Sequence, residues 1–194
     1  MSNTNKKAQT QKMVLGAVFT AIVIVLQLLG SFIHLGPFSI SLVLVPIVIG
    51  SALCGEKIGA GLGFVFGVVV LLSGDAAAFL GVNVLGTVLT VLLKGALCGL
   101  AAGITYKLLA QKNRYLAVMA TAIVCPIVNT GIFLLGCVAF FLPTITAWGV
   151  AEGFANVTAY MFLGLAGGNF LVELITNIIL APIILRVIAI AQKQ

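Results

Sequence analysis

Six apolar segments follow one another along this chain, at about 13–35, 38–54, 58–73, 84–109, 116–142 and 164–188, joined by short polar links. Runs of that length and hydrophobicity match the hydrocarbon of a bilayer, which is ~30 Å thick. Backbone N–H and C=O groups find no water there, so each segment has to close its own hydrogen bonds as a helix. Hydrophobic residues make up 62% of the 194 and charged residues 7%. That is more apolar surface than a water-exposed domain can hide. The expected fold is an all-α integral membrane bundle of six transmembrane helices, a single domain over 1–194 with short polar tails at 1–12 and 189–194. The second and third segments are the shortest, and the charged link Gly55-Glu56-Lys57 suits a turn at the membrane surface. The alternative is a re-entrant pair, leaving four spans.

The lysines and arginines set the orientation. Lys6, Lys7 and Lys12 ahead of an apolar run resemble the start of a signal peptide, but no small-residue cleavage site follows, so the run is read as the first membrane helix. With six spans and the N-terminus in the cytoplasm, the inner side holds Lys6, Lys7, Lys12, Lys57, Lys107, Lys112, Arg114, Arg186 and Lys193. The outer links near 36, 74–83 and 143–163 hold none. That distribution predicts cytoplasmic termini. It also accounts for the formal charge of +6 without nucleic acid, because no basic patch is interleaved with aromatics. Cys54, Cys98, Cys125 and Cys137 lack CxxC or His spacing and are expected to be small core residues, with neither a disulfide framework nor a metal site.

Glycines recur every four residues at Gly59, Gly63 and Gly67 and again at Gly95, Gly99 and Gly103. Small residues at that interval let helix backbones approach closely in lipid, and tight packing inside the bundle is expected. Pro46, Pro126 and Pro182 are expected to kink their helices.

Lys94 and Glu173 fall near the middle of their segments, where charge is costly and faces a cavity, a partner or a substrate. Polar residues follow them at helical spacing: Asn83, Thr87, Thr90 and Lys94; Asn169, Glu173, Thr176 and Asn177; Thr20, Gln27, Ser31 and His34. Asn129 and Thr130 follow Pro126. Such stripes converging from several helices are expected to line a buried site for a small polar solute. Lys94 and Glu173 lie at similar depth and can meet, either as a structural ion pair or with the ammonium gripping a substrate carboxylate. Trp148 and Tyr160 are expected as interfacial anchors, with ligand stacking by Trp148 the alternative. The long 143–163 stretch, with Gly149 and Gly153 as flex points, reads as a lid, and the 73–83 link as its counterpart. No phosphate-binding loop, HExxH or GxSxG is present, and Asp75 and His34 are the only Asp and His, so an enzyme is not expected. A channel lacks a continuous polar path.

In its length, six segments and basic lead, the chain resembles the substrate-binding S component of an energy-coupling-factor (ECF) vitamin transporter. The residues that carry the likeness are Ala17-Val-Phe-Thr-Ala21, similar to the Ala-x-x-x-Ala docking signature of that family, and Gly36-Pro-Phe-Ser-Ile-Ser-Leu-Val-Leu-Val-Pro46. The two alanines sit away from the Gln27 stripe, which keeps docking and binding faces apart. The resemblance implies a prokaryotic plasma membrane location and capture of a vitamin from outside under closing loops. It also implies docking through Ala17 and Ala21 on a transmembrane coupling subunit (EcfT-like) with two cytoplasmic ATPases, followed by toppling to release the vitamin inward; no cofactor is implied. Cys125-Pro-Ile-Val-Asn129-Thr-Gly131 and the Asn/Thr/Lys stripe favour the pantothenate branch, with riboflavin, folate and lipoate as alternatives. The sequence shows no aromatic cluster for a flat ring. An autonomous channel or carrier and a ligand-free scaffold are the competing readings.

Overall fold

The computed structural model describes the backbone of residues 3–31, 34–35, 38–39 and 42–191 and the side chains of 9–31 and 42–191. The chain is an all-α membrane bundle. Its long helices are α1 (Asn3–Gly30), α3 (Glu56–Ser73), α5 (Val84–Leu109), α6 (Arg114–Phe140) and α9 (Gly167–Ala191). These five are long and apolar enough to cross a membrane, α1 over Gln9–Gly30. A two-residue hairpin, β1 (His34–Leu35) with β2 (Phe38–Ser39), follows α1.

The second apolar segment departs from expectation. Its helix, α2, covers only Leu44–Cys54, about 16 Å at ~1.5 Å per residue and half of a hydrocarbon core. It packs against α1, α3, α5, α6 and α9, with Leu44, Ile47 and Val48 fully buried. A helix that is apolar all round and surrounded by others needs no lipid-facing side. Pro46 lies in its first turn, where a missing N–H costs no helical bond, so it makes no kink there. Pro126 and Pro182 stand inside α6 and α9, which run on past them.

The glycine seam is realised between α3 and α5. A methyl placed on Gly63 would overlap the Gly95 carbonyl, one on Gly99 would overlap that of Gly59, and one on Gly67 would come within 2.8 Å of the Val91 carbonyl. Four residues forward on α3 match four residues back on α5, so the helices run antiparallel in backbone contact. Ser51 Oγ on α2 donates to the Gly99 carbonyl at 3.2 Å. Around this seam Phe19, Ile47, Leu62, Cys98, Ala102, Val118, Cys125 and Ile184 form the main core. All four cysteines are buried and unpaired.

The 143–163 stretch is mostly helical, unlike the expected open loop. Helix α7 (Leu142–Ala151) leads through a turn to α8 (Val157–Ala159) and a wide helical turn over Tyr160–Leu165. Gly149 is a packing site within α7, since a methyl there would press on the Tyr160 ring at 3.0–3.2 Å. Tyr160 is 3% exposed and edge-on to Phe154, so it is a core residue of this cap and not an interfacial anchor. Burial and the neighbouring Glu152 hold its phenol above the ordinary value. The other link contains α4 (Ala77–Leu80). Gly74, at φ +90°, closes α3 in the left-handed region that a Cβ disfavours, turning the chain so that Asp75 follows directly.

Candidate functional site

Beside the glycine seam, a cavity of about 80 Å³ opens among α1, α3, α5, α6, α9 and the α3–α4 link. Its polar wall is Gln27, Asp75, Thr87, Thr90, Lys94, Asn129, Thr130, Asn169 and Glu173; its apolar wall includes Phe66, Phe79, Phe133 and Phe141. Three of the polar stripes thus reach one hollow. Lys12 and Gln27 are fifteen residues apart on α1, so the hollow sits ~22 Å from the lysine-bearing end.

Glu173 organises the α6–α9 side. The carboxylate is 1% exposed and accepts from Asn129 Nδ2 at 3.3 Å and Asn169 Nδ2 at 3.2 Å. Each amide therefore turns its oxygen elsewhere, and Asn129 Oδ1, Asn169 Oδ1 and Thr90 Oγ1 have no hydrogen-bond partner among the described residues. Buried polar atoms without partners are costly, which makes them natural contacts for a solute. Thr87 is already used, its hydroxyl donating to the Asn83 carbonyl at 2.8 Å.

Lys94 comes from α5 on the facing side. Among the described residues no carboxylate lies within 4.0 Å of it. Of the two readings, a structural ion pair with Glu173 is not formed within that distance; both residues line the same hollow. The ammonium sits instead 5.5 Å from the ring centroids of both Phe66 and Phe133. Aromatic faces attract a cation without neutralising it. At the end away from the glycine seam, Gln27 Nε2 donates to Asp75 Oδ2 at 2.7 Å and Ser73 Oγ donates to the same oxygen at 2.9 Å, tying α1 to the α3–α4 link.

Several expected residues stand elsewhere. Asn83 is outside the wall and caps α5, its Oδ1 accepting from Gly86 N–H at 2.9 Å, because a helix start leaves N–H groups that a short polar side chain satisfies. Thr20 bonds back to the Gly16 carbonyl and Ser31 to that of Leu28, so Gln27 alone represents the described part of its stripe. Asn177 bonds the Glu173 carbonyl within α9. Trp148 is outside the wall and meets its Phe79 edge-on at 5.5 Å. The His34 side chain lies outside the described residues. Ala17 and Ala21 are exposed on α1 beside Val18 and Ile22.

Two features of the wall were missed. Asp75 is the only Asp, one residue past a helix-ending glycine, and that position was the available signal. The aromatic cluster, held absent from the sequence, is assembled in space: Phe79 meets Phe133 at 5.7 Å and Phe141 at 5.1 Å, both edge-on. Residues so far apart in the chain leave no local pattern.

Comparison with known proteins gives one match. The family model described as "ECF transporter, substrate-specific component" covers residues 11–188. No curated protein and no solved structure matches the chain.

Proposed function

Because this chain belongs to the substrate-specific components of ECF transporters, we propose that the hollow beside Lys94 holds its substrate, a small water-soluble vitamin bearing a carboxylate. Proteins of this family bind small molecules and work with an EcfT subunit and an ATPase module. The observation that carries the reading is Lys94, with no carboxylate within 4.0 Å, in one hollow with buried amide oxygens and a hydroxyl that lack partners among the described residues. A carboxylate meets the ammonium, and hydroxyl or amide hydrogens along the solute meet Asn129, Asn169 and Thr90. Pantothenate has that chemistry and is the first candidate. The four phenylalanines favour a second, an anion with an apolar body such as lipoate.

With cytoplasmic termini in a prokaryotic plasma membrane, the hollow opens toward the exterior and the Gln27–Asp75 contact lies at its mouth. Ala17 and Ala21 then form the face that docks on the coupling subunit, which is joined to two ATPases. Thermal unfolding of the purified chain against a panel of vitamins is the test. One carboxylate-bearing vitamin should raise the unfolding temperature without ATP, since a ligand at 100 times its Kd adds about 2.7 kcal/mol. A flat panel, or stabilisation by cationic vitamins alone, defeats the reading. Ala17→Trp should leave that stabilisation intact and abolish uptake in cells holding the coupling module; uptake that persists removes the docking assignment.

A further inference from the structure

A second recess of about 480 Å³ opens at the opposite end of the bundle, among the start of α1, the α2–α3 turn and the end of α5. Lys12, Lys57, Lys107, Glu56 and Tyr106 line it. Lys107 Nζ holds Glu56 Oε1 at 2.9 Å, so the single acid is already engaged. Lys12 and Lys57 have no carboxylate within 4.0 Å among the described residues, and the recess keeps an excess of positive charge.

Two independent features of the recess point to an anion. Helix α3 begins here behind Gly55, which has no side chain to cap it; the Glu56 carboxylate in the first turn meets its own backbone N–H and Lys107. Gly55 itself has φ +97° and open space where a Cβ would stand, which leaves the backbone accessible. A helix start attracts negative charge through its dipole and the N–H groups that follow the first. The second feature is Tyr106, 6% exposed, whose hydroxyl is buried and without a hydrogen-bond partner among the described residues. A phenol left unpaired in a basic recess lacks an acceptor, and a phosphate oxygen is one.

We propose that this recess binds a phosphate-bearing anion, specifically the headgroup of an acidic membrane lipid. The position supports that source. α1, α3 and α5 reach the ends of their apolar windows here, the depth at which headgroups lie. Lys12 and Lys57 receive the phosphate charge, Tyr106 donates to one of its oxygens, and the α3 N-terminus faces it. The recess is distinct from the solute hollow, so it serves the protein's lipid contacts whatever vitamin is carried.

Native mass spectrometry of the full chain, titrated with dioleoyl phosphatidylglycerol or dioleoyl phosphatidylcholine, tests this. A parallel arm follows thermal unfolding with inorganic phosphate against chloride at equal ionic strength. Preferential retention of phosphatidylglycerol is expected, lowered about fivefold by Tyr106→Phe and at least roughly tenfold by Lys12→Gln/Lys57→Gln. The double variant changes exposed side chains only, so it folds even if Tyr106→Phe does not. Stabilisation by inorganic phosphate that vanishes in the variants, without lipid preference, keeps the anion site and makes free phosphate its ligand. Wild type and variants behaving alike in both arms overturns the site.

Discussion

Two faces of α5 differ: one meets α3 backbone to backbone along the glycine seam, and the other turns Thr87, Thr90 and Lys94 to the hollow. The difference comes from which side chains each face carries. From Gly59 to Gly67 each facing position is a glycine or a bare carbonyl, and the backbones meet. On the hollow's side, Phe66 and Val70 of α3 and Thr87, Thr90 and Lys94 of α5 line a cavity shared with α1, α6 and α9. Packing energy concentrates in the first region. Unsatisfied polar groups concentrate in the second, so a membrane protein can keep a rigid foundation under a site left deliberately incomplete.

Closing the gap from the packed side should have the largest effect. Gly63→Leu drives a side chain into the Gly95 carbonyl, at a cost of about 3 kcal/mol by overpacking. Thermal unfolding in detergent should fall sharply, while Gly61→Leu, with open space around it, should leave unfolding nearly unchanged. If both variants unfold alike, the seam does not hold the bundle.

The next effect probes the hollow. Lys94→Met keeps a long side chain and removes the charge, so affinity for the stabilising vitamin should drop about 10- to 100-fold, as expected for losing a charge-assisted hydrogen bond. Stability without ligand should change little, because Lys94 holds no carboxylate within 4.0 Å among the described residues. Isothermal titration beside a melting curve separates the two, and an unaltered Kd would remove Lys94 from the site. Asn83→Ala sits at the border of the regions. Loss of the α5 cap should lower stability by about 1 kcal/mol and leave affinity alone; a weakened Kd instead would return Asn83 to the binding wall. Trp148→Phe should be the mildest, shifting affinity by less than about twofold, since an edge-on ring against Phe79 can be kept by phenylalanine. A tenfold loss would mean that Trp148 reaches the ligand itself.

Much of this comparison was legible before any coordinates. Gly59/Gly63/Gly67 and Gly95/Gly99/Gly103 announce close backbone approach through spacing alone, and the structure pairs those very stripes. Lys94, Glu173, Asn129, Asn169, Thr87, Thr90 and Gln27 were legible as well, because charge and amide groups are so rare in hydrocarbon that each stands out. Asn83 misled because a cap and a site residue share the same face and chemistry. Residues 143–163 misled because polar and glycine residues that suggest a loop also occur in a short packed helix such as α7.

Hydrophobic periodicity and the scarcity of charge determined that the chain is a helical membrane bundle with a polar interior, since lipid leaves the backbone no other way to satisfy its hydrogen bonds. Tertiary structure alone decided which polar groups remain unpaired. It seated Lys94 between two phenylalanines with no carboxylate within 4.0 Å among the described residues, brought Asp75 onto Gln27, and gathered Phe66, Phe79, Phe133 and Phe141 from distant segments. Those outcomes depend on distances across helices, and a linear order of residues holds no record of them.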